Sequence, residues 1–400
     1  MTPPTLTMPT PAIDAHVFKT YKRQPEVFVR GDGARLWDAQ GKEYLDFLGG
    51  IAVSALGHNH ARLVAELTDQ LGRLVHTSNL FRHPYTEEVA ERVTRLARMQ
   101  AVFFTNSGTE ANEAALKLAR KHQRVLGHPA RTGFVALEGS FHGRTLGALS
   151  VTHTAKYREP FEPLVPGVTF VPAQDAAALE RALFELRPAA LILEPIQGES
   201  GVRDLDFAYL RAARELCTRT GTVLIFDEVQ SGSGRSGTFL VAEQAGVAPD
   251  VVTLAKAIAA GLPMGMCLAS KALADTLQPG DHGSTFAGGP LVCRGALVFL
   301  RELEEGGLQA AVRERGAQLR AGLESIAREC PVVLELRGRG LIQGLRLARG
   351  ADELKTALYA RGLIVNVTGG DVIRLLPPYV IRAEEVDRGL SLLRDALKQL

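Results

Sequence analysis

Lys256 lies in surroundings where lysine is rare. It follows the apolar run Val251–Leu254, which has the composition of a buried strand, and it precedes small apolar residues at 257–260 that we predict to be helical. Burial favours the neutral amine, which is a nucleophile toward carbonyl groups. The alternative is a structural lysine whose ammonium group reaches solvent along the surface.

Two acidic residues, Asp227 and Glu228, end another apolar run at 223–226. Open α/β sheets bind their ligands at the carboxyl ends of the strands, so we expect at least one of these carboxylates to face a crevice. A buried carboxylate also needs a partner that offsets its desolvation. The alternative interpretation is a helix cap or a structural ion pair.

Hydroxyl groups and a glycine follow a third apolar run at 102–104. Ser107, Gly108 and Thr109 lead into a helix that we predict over residues 111–121. The N–H groups at the start of this helix, with the hydroxyls of Ser107 and Thr109, form a site suited to an anion such as phosphate. The alternative is that these residues only cap the helix.

Two other segments carry groups that suit a ligand. In residues 139–145, Phe141 is able to stack on a planar ring, and the guanidinium fork of Arg144 is able to bind a carboxylate. Residues 281–290 combine glycines with hydroxyls, among them Thr285, and form a second candidate for anion contact.

The lysine, the carboxylate and the anion site match the needs of one cofactor, pyridoxal phosphate. A lysine forms a Schiff base with its aldehyde, a carboxylate keeps its pyridine nitrogen protonated, and an anion site holds its phosphate. Because all three groups follow strands of one predicted sheet, the sequence predicts a pyridoxal-phosphate enzyme.

Two motifs favour other chemistry only weakly. The glycine run at 232–237 matches G-x-G-x-x-G, but a dinucleotide site needs its first glycine near the strand end, and five residues intervene here. A nucleotide-dependent oxidoreductase therefore remains an alternative, as does a non-catalytic binding protein. His58 and His60 resemble a metal pair, but no carboxylate or cysteine cluster supports them, and we predict no metal.

The elements that must position these residues form an α/β fold. Short apolar runs alternate with helix-length segments from about residue 61 to 290, which predicts a large domain with a mostly parallel sheet flanked by helices. Residues 291–400 are predicted to begin with one long helix to about residue 329 and to form a smaller α+β domain. Residues 1–60, a loose arm and a hairpin, are predicted to join that smaller domain.

Composition excludes several classes of partner. The chain has 400 residues, with 46 Lys and Arg against 44 Asp and Glu, so it lacks the basic surplus that nucleic acids or anionic membranes require. The four cysteines show no C-x-x-C spacing and are read as reduced thiols, which predicts a cytoplasmic location. The first ten residues do not resemble a secretory signal, and no apolar run is long enough for a membrane span.

From about residue 21 to the C-terminus the chain resembles the class III pyridoxal-phosphate-dependent aminotransferases. The resemblance rests on five motifs in order: Phe-Thr-Asn-Ser-Gly-Thr-Glu-Ala-Asn-Glu-Ala-Ala at 104–115, Phe-His-Gly-Arg-Thr at 141–145, Glu-Pro-Ile-Gln-Gly-Glu at 194–199, Phe-Asp-Glu-Val-Gln at 226–230, and the lysine segment. It implies the type I fold of these enzymes and a homodimer with shared active sites. It also implies transfer of the terminal amino group of N-acetylornithine to 2-oxoglutarate, a step of arginine biosynthesis.

The resemblance implies a role for each matching residue. Lys256 would form the Schiff base, Asp227 would pair with the pyridine nitrogen, and Gln230 would contact the ring oxygen. Further cofactor contacts are implied for Ser107, Gly108, Thr109, Phe141, His142 and, from the other protomer, Thr285. Substrate contacts are implied for Arg144, Glu199, Arg374 and Tyr21. In this scheme Arg374 binds the α-carboxylate of glutamate, Arg144 binds the far carboxylate, and Glu199 pairs with Arg374 when the ornithine-type substrate is bound.

The chain departs from the family pattern at three places. Ala61 stands where relatives usually have proline, and Ser200 where they usually have glycine. Ala287 and Gly289 stand where relatives usually have glycine and asparagine. The last lies beside Thr285 and weakens that assignment. Ornithine-type relatives place a tyrosine near Ile51, and the smaller residue here favours an acylated amine. Ornithine, succinylornithine, 4-aminobutyrate and a carrier-linked lysine precursor remain alternative amino donors.

Overall fold

The computed structural model describes residues 16–400; residues 1–15, most of the predicted arm and the segment compared with a secretory signal, lie outside the described residues. The strands, in chain order, are β1 (Phe28–Asp32), β2 (Arg35–Asp38), β3 (Glu43–Asp46), β4 (Ala101–Thr105), β5 (Phe134–Leu137), β6 (Val168–Val171), β7 (Ala190–Leu193), β8 (Ile196–Gln197), β9 (Arg203–Asp204), β10 (Val223–Asp227), β11 (Val251–Leu254), β12 (Gly265–Ala269), β13 (Val333–Arg339), β14 (Ile342–Leu347), β15 (Leu363–Ile364), β16 (Asn366–Thr368) and β17 (Val372–Leu375).

Helices cover both faces of the main sheet and form the outer layer of the C-terminal part. They are α1 (Gly49–Ala52), α2 (Ala61–Leu71), α3 (Pro84–Ala97), α4 (Gly108–Val125), α5 (Leu146–Ser150), α6 (Ala155–Arg158), α7 (Ala176–Leu186), α8 (Phe207–Thr220), α9 (Val241–Ala245), α10 (Pro290–Glu304), α11 (Leu308–Glu329), α12 (Ala351–Ala360) and α13 (Ala383–Leu397), with short 3₁₀ turns at Glu159–Phe161 and Lys256–Ala259. Within residues 16–400 we find no helix that is both long and apolar enough to span a bilayer.

The main sheet has seven strands in the order β4-β12-β11-β10-β7-β5-β6. Strands β11, β10, β7, β5 and β6 are parallel neighbours, whereas β12 runs antiparallel to both β11 and β4. Strands β5, β7, β10, β11 and β12 are buried along their whole length, because helices pack on both faces. The predicted fold class, a mostly parallel sheet flanked by helices, is confirmed.

Two four-stranded sheets lie outside this unit, and β8 pairs with β9 in a two-stranded sheet. The order β1-β2-β3-β15 brings strands from both ends of the chain into one sheet, and β13-β14-β17-β16 forms a second sheet. Strand β15 pairs in parallel with β3, so the N-terminal hairpin packs with the C-terminal part, as predicted for the smaller α+β unit. The exact domain boundaries at residues 60 and 290 stay predictions.

Two helix predictions are wrong. The residues after Lys256 form one 3₁₀ turn and then enter β12, because Ala260 and Gly261 take positive φ angles and Pro263 cannot continue a helix. The long helix predicted from residue 291 is two helices, α10 and α11. The break falls at Gly306 and Gly307, and the second of these glycines has a φ of 76°.

Candidate active site

A cavity of about 410 Å³ opens at the carboxyl ends of β4, β5, β10 and β11. Ten of the residues singled out from the sequence line it: Ser107, Gly108, Thr109, Phe141, His142, Arg144, Glu199, Asp227, Gln230 and Lys256. Residues that we did not single out complete the wall: Val53, Asn106, Asn112, Gly143, Glu194, Val229, Ala255, Gly261, Leu262, Pro263 and Met264. Residues from distant parts of the sequence therefore share one crevice.

The amine of Lys256 enters the cavity from the turn after β11. Its backbone has a φ of 49°, a conformation that costs free energy in a residue other than glycine and is concentrated at functional sites. Burial lowers the pKa of the Lys256 ammonium, and the nearby carboxylates, led by Asp227, offset only part of this effect. The lysine is therefore closer to its neutral, nucleophilic form than a lysine in water.

Asp227 is almost fully buried at the end of β10, and three groups donate hydrogen bonds to its carboxylate. The amide Nδ2 of Asn112 and Nδ1 of His142 lie 2.7 and 2.8 Å from Oδ2. The backbone N–H of Val229 donates to Oδ1 at 3.0 Å. A carboxylate with this many donors is held in one orientation.

The first turn of α4 faces the same cavity. Ser107 is the N-cap of this helix, and its hydroxyl accepts a hydrogen bond from the N–H of Glu110 at 3.3 Å. The capping interpretation is therefore correct for Ser107. It is compatible with an anion site, because the first N–H groups of a helix have no acceptor within the helix. A Cβ on Gly108 would lie 2.8 Å from Cγ1 of Val229, so this wall has no room for a side chain at that position.

Arg374 lies behind the cavity wall, and Glu199 stands between it and the open space. The Glu199 side chain is 37% exposed and that of Arg374 is 0% exposed, while Oε1 and Nη1 are 2.6 Å apart. Nη1 also contacts the Gln230 side-chain oxygen at 3.1 Å. Burial raises the pKa of Glu199, but the charge and hydrogen bond of Arg374 outweigh burial, so the net pKa lies below its ordinary value.

Arg144 is held by aromatic rings rather than by a carboxylate. Its guanidinium carbon lies 3.7 Å from the ring centre of Tyr157 and 5.4 Å from that of Phe141. Its backbone N–H donates to the hydroxyl of Thr109 at 3.2 Å, which ties it to the start of α4. No sequence signal pointed to Tyr157, because a cation–π partner depends only on the tertiary structure.

The wall near Val53 is formed by a left-handed turn. Gly49, Gly50, Ile51 and Ala52, which make up α1, all have φ between 55° and 66°. This conformation is unfavourable for the β-branched Ile51. Asp46 holds the turn, because its Oδ1 accepts the N–H groups of Leu48 and Gly49 at 3.0 and 2.8 Å. Ile51 is consequently turned outward and partly exposed.

Besides Arg374, which lies behind the wall, two predicted site residues do not line the cavity. Tyr21 is 75% exposed and lies outside the lining. Thr285 lines a separate surface cavity with His76, Ser78, Asn79, Leu80, Gly283 and Ser284. The two motifs that weakly favoured other chemistry have structural roles. In the histidine motif, His58 pairs with Asp46 at 3.0 Å and His60 caps α2. In the glycine run, Arg235 is buried and donates to the carbonyls of Leu341 and Pro377.

Glu194 is a cavity residue to which we assigned no role from the sequence. It directly follows β7, so the rule that located Asp227 at a strand end would have found it. Its carboxyl accepts the N–H groups of Phe141 and Gly198 at 2.9 and 3.3 Å. Burial raises the pKa of Glu194 to about 8, and the charge of Asp227 adds to the increase.

The raised pKa of Glu194 predicts a pH-dependent stability. Between its ordinary value of 4.5 and about 8, the folded protein keeps a proton on Glu194 that the unfolded chain has lost. We therefore expect the free energy of unfolding of the cofactor-free protein to fall as the pH rises through this range. Denaturant titrations at several pH values should show a shallower fall for Glu194→Gln. Glu138→Gln, which changes an exposed carboxyl after β5, is the control, and equal slopes in both variants would contradict the prediction.

The donor set fits pyridoxal phosphate. One cavity contains a lysine amine of lowered pKa, a carboxylate fixed by three donors, and the N-terminus of α4. Nη2 of Arg374 is buried and has no hydrogen-bond partner among residues 16–400, which leaves a donor for a carboxylate of the substrate. No group of three or more metal-ligating side chains occurs in that same range.

Comparison with known proteins gives the same assignment. The sequence profile of the class-III aminotransferases matches residues 18–397. The acetylornithine aminotransferase of Thermosynechococcus vestitus is 45% identical, over 98% of this chain and 97% of that protein. The acetylornithine aminotransferase of Methanosarcina mazei is 44% identical, over 95% and 94%.

Solved structures resemble the whole chain. The ornithine aminotransferase of Toxoplasma gondii superposes with a TM-score of 0.93 at 34% identity, over 97% of this chain and 94% of that one. The N-acetylornithine aminotransferase of Stenotrophomonas maltophilia superposes with a TM-score of 0.83 at 38% identity, over 95% and 97%. The chain therefore belongs to the class-III aminotransferases and is a pyridoxal-phosphate-dependent transaminase.

Proposed function

We propose that the enzyme transfers the terminal amino group of N-acetylornithine to 2-oxoglutarate, giving N-acetylglutamate 5-semialdehyde and glutamate, as in arginine biosynthesis. The names of two similar relatives, both acetylornithine aminotransferases, support N-acetylornithine as the amino donor. The observation that carries the proposal is the Arg374–Glu199 pair beside Lys256. Arg374 is neutralised while it pairs with Glu199 and is free to bind a carboxylate once Glu199 moves away. One subsite therefore suits an enzyme that reacts first with a terminal amine and then with an α-amine.

Pyridoxal phosphate, when bound, supplies the electron sink that stabilises negative charge on the substrate carbon. Lys256 would hold the cofactor covalently through Nζ, and its freed amine would act toward the substrate carbon as a positioned base. Asp227 would hold a proton on the ring nitrogen, and Gln230 would contact the ring oxygen. Phe141 would stack on the ring with His142 beside it, and the start of α4, with Ser107, Gly108 and Thr109, would bind the phosphate.

Arg374 and Glu199 determine which amine reaches Lys256. When Glu199 pairs with Arg374, the charge of Arg374 is neutralised. The uncharged methylene chain next to the terminal amine of the substrate then packs against this pair, and no buried charge is left without a partner. With Glu199 displaced, Nη1 and the unpartnered Nη2 of Arg374 present a fork for the α-carboxylate of glutamate. Arg144, kept in place by Tyr157, binds the carboxylate at the far end in both half-reactions.

A substrate panel in the first half-reaction tests the proposal. The wild-type enzyme is mixed with N-acetylornithine, ornithine, N-succinylornithine or 4-aminobutyrate, and the loss of the visible cofactor band is followed. We expect the highest second-order rate constant with N-acetylornithine. A higher rate constant with any other member of the panel would replace the proposed amino donor by that compound, and a carrier-linked lysine precursor is assayed in the same way.

A homodimer belongs to the same proposal. Leu80, Phe81 and Phe286 are large apolar side chains, each more than two-thirds exposed. Leu80 lines the surface cavity that contains Thr285, Phe81 follows Leu80 in the chain, and the ring centre of Phe286 lies 5.4 Å from that of His76, which also lines the cavity. Asn79 joins the two segments, because its side-chain amide donates to the carbonyls of Ser284 and Ala287 at 3.0 and 3.1 Å. Exposed apolar side chains grouped in this way form an apolar patch, which marks an interaction surface. It supports an interface in which Thr285 binds the phosphate held by the other protomer, while Tyr21 contacts the far end of the substrate.

A cytoplasmic location is also proposed, and the four free, buried cysteines support it.

A charge in the apolar patch should separate the protomers. We expect Leu80→Asp to elute at about half the wild-type mass in size-exclusion chromatography with light scattering, because an unpaired carboxylate is costly to bury. Leu126→Asp places the same charge on an exposed leucine after α4 and should leave the elution unchanged. An unchanged mass for Leu80→Asp would place the interface elsewhere.

A further inference from the structure

We propose that Asn112 is a positioning residue that orients the Asp227 carboxylate, so that a single acceptor position on Oδ1 remains for the ring nitrogen of the cofactor. The inference rests on the proposed role of Asp227 and adds a residue outside the expected cofactor contacts. Asn112 lies on α4, is 1% exposed, and touches the cavity that contains Asp227 and Lys256.

The side-chain amide of Asn112 has only one workable orientation. Its Nδ2 lies 2.7 Å from the carbonyl oxygen of His142 and 2.7 Å from Oδ2 of Asp227. Both of these atoms are acceptors, so the NH₂ group must face them. The amide oxygen then faces the hydroxyl of Thr253, which donates to it at 2.8 Å. Every contact of this buried amide is consistent with one orientation.

The orientation of Asn112 leaves Asp227 with a single free acceptor position. A carboxylate offers about two acceptor positions on each oxygen. Asn112 and His142 occupy both positions on Oδ2, and the N–H of Val229 occupies one position on Oδ1. One position on Oδ1 is left, and a protonated ring nitrogen requires one. The carboxylate is therefore satisfied with the cofactor in place and cannot rotate without losing charge-assisted hydrogen bonds.

Asn112 also joins the strand ends around the cavity. Through His142 it contacts the loop after β5, through Asp227 the end of β10, and through Thr253 strand β11, three residues before Lys256. Loss of the Asn112 amide removes a donor from Oδ2 and leaves the Asp227 carboxylate less firmly oriented. A carboxylate that no longer faces the ring nitrogen squarely would hold the ring proton less well, and the bound ring would lose positive charge.

This loss of ring charge has a spectroscopic consequence. Positive charge on the ring would repel a proton on the Schiff-base nitrogen of Lys256. The visible absorption of the holoenzyme reports whether that nitrogen is protonated. In Asn112→Leu holoenzyme we expect the pH midpoint of the visible absorption change to rise by about one pH unit, the shift expected for one hydrogen bond to a charged group. Asn112→Ala should shift it in the same direction, and it decides the test if the leucine variant does not retain the cofactor.

Thr253→Val is the matched control. It removes the hydroxyl that donates to the amide oxygen of Asn112. Both hydrogen bonds donated by Nδ2 stay in place, because turning the amide around would point its oxygen at two other acceptors. We expect this variant to melt at a lower temperature, because it leaves a buried amide oxygen without a donor, and to keep the wild-type pH midpoint. A merely structural role for Asn112 predicts lower melting temperatures for all three variants and no shift of the midpoint.

Asp227→Asn separates failure of this inference from failure of the proposed role of Asp227. A midpoint that moves in Asp227→Asn but not in the two Asn112 variants overturns the positioning role of Asn112 and leaves the proposed function intact. A midpoint that moves in none of these variants shows instead that Asp227 does not control the charge of the ring. A midpoint that moves upward in the Asn112 variants and stays fixed in Thr253→Val supports the inference.

Discussion

We expect the Lys256→Ala variant to lose at least about 10⁴-fold in turnover with any amino donor, the upper end of what a positioned general base contributes, because covalent attachment of the cofactor is lost as well. Among the described residues, Lys256 is the only lysine that lines the cavity, so no other lysine there replaces its amine. Steady-state rates and the visible spectrum measure the two losses separately.

Lys271→Ala controls for the loss of a lysine near the same sheet. Lys271 is exposed and follows β12, so its removal should change neither the rate nor the spectrum. Reduction of the wild-type holoenzyme with borohydride, followed by peptide mapping, should label only the peptide that contains Lys256. Label on another lysine in active enzyme would refute the assignment.

The second large effect is expected at Glu199. In Glu199→Ala, Arg374 has no carboxylate competing for Nη1, so the α-carboxylate of glutamate binds without displacing a partner. With N-acetylornithine the same change leaves the buried cation of Arg374 uncompensated beside an uncharged substrate chain. We expect the ratio of half-reaction rate constants, glutamate over N-acetylornithine, to rise by about 10- to 100-fold, as for one hydrogen bond between charged groups.

Rapid-mixing measurements of both half-reactions give this ratio directly. Glu335→Ala is a matched control, because Glu335 also pairs with an arginine, Arg337, that contacts the same turn through the carbonyl of Gly201 at 3.0 Å. Its ratio should equal that of the wild type. An unchanged ratio in Glu199→Ala would mean that the pair does not select between the two amines.

Local sequence was sufficient to locate the groups that line the cavity. Lys256, Asp227 and the turn from Ser107 to Thr109 each follow a short apolar run, and each run is a strand of the main sheet. Apolar runs reflect burial on both faces of a sheet, which is a property of consecutive residues. Strand ends could therefore be read before any contact was known, and Glu194 was overlooked although the same rule applies to it.

Local sequence was insufficient where two conformations share one composition. The small apolar residues after Lys256 suit a helix, yet they form a turn and then strand β12. Strand pairing with β11 and β4 decides the outcome, because the backbone of β12 is satisfied on both sides by strands of the main sheet. Propensity is a weak guide when tertiary pairing favours another structure.

The sequence by itself determined the fold class, the order of the strands along the chain and the amine, carboxylate and anion site of the cavity, because these follow from the periodicity and type of neighbouring residues. The tertiary structure alone decided which side chains orient them. Asn112 contacts Asp227 across 115 residues, and Arg144 lies against Tyr157 rather than a carboxylate. Such contacts depend on how whole helices and strands pack, and a pattern of adjacent residues carries no information about the distance between atoms on separate elements.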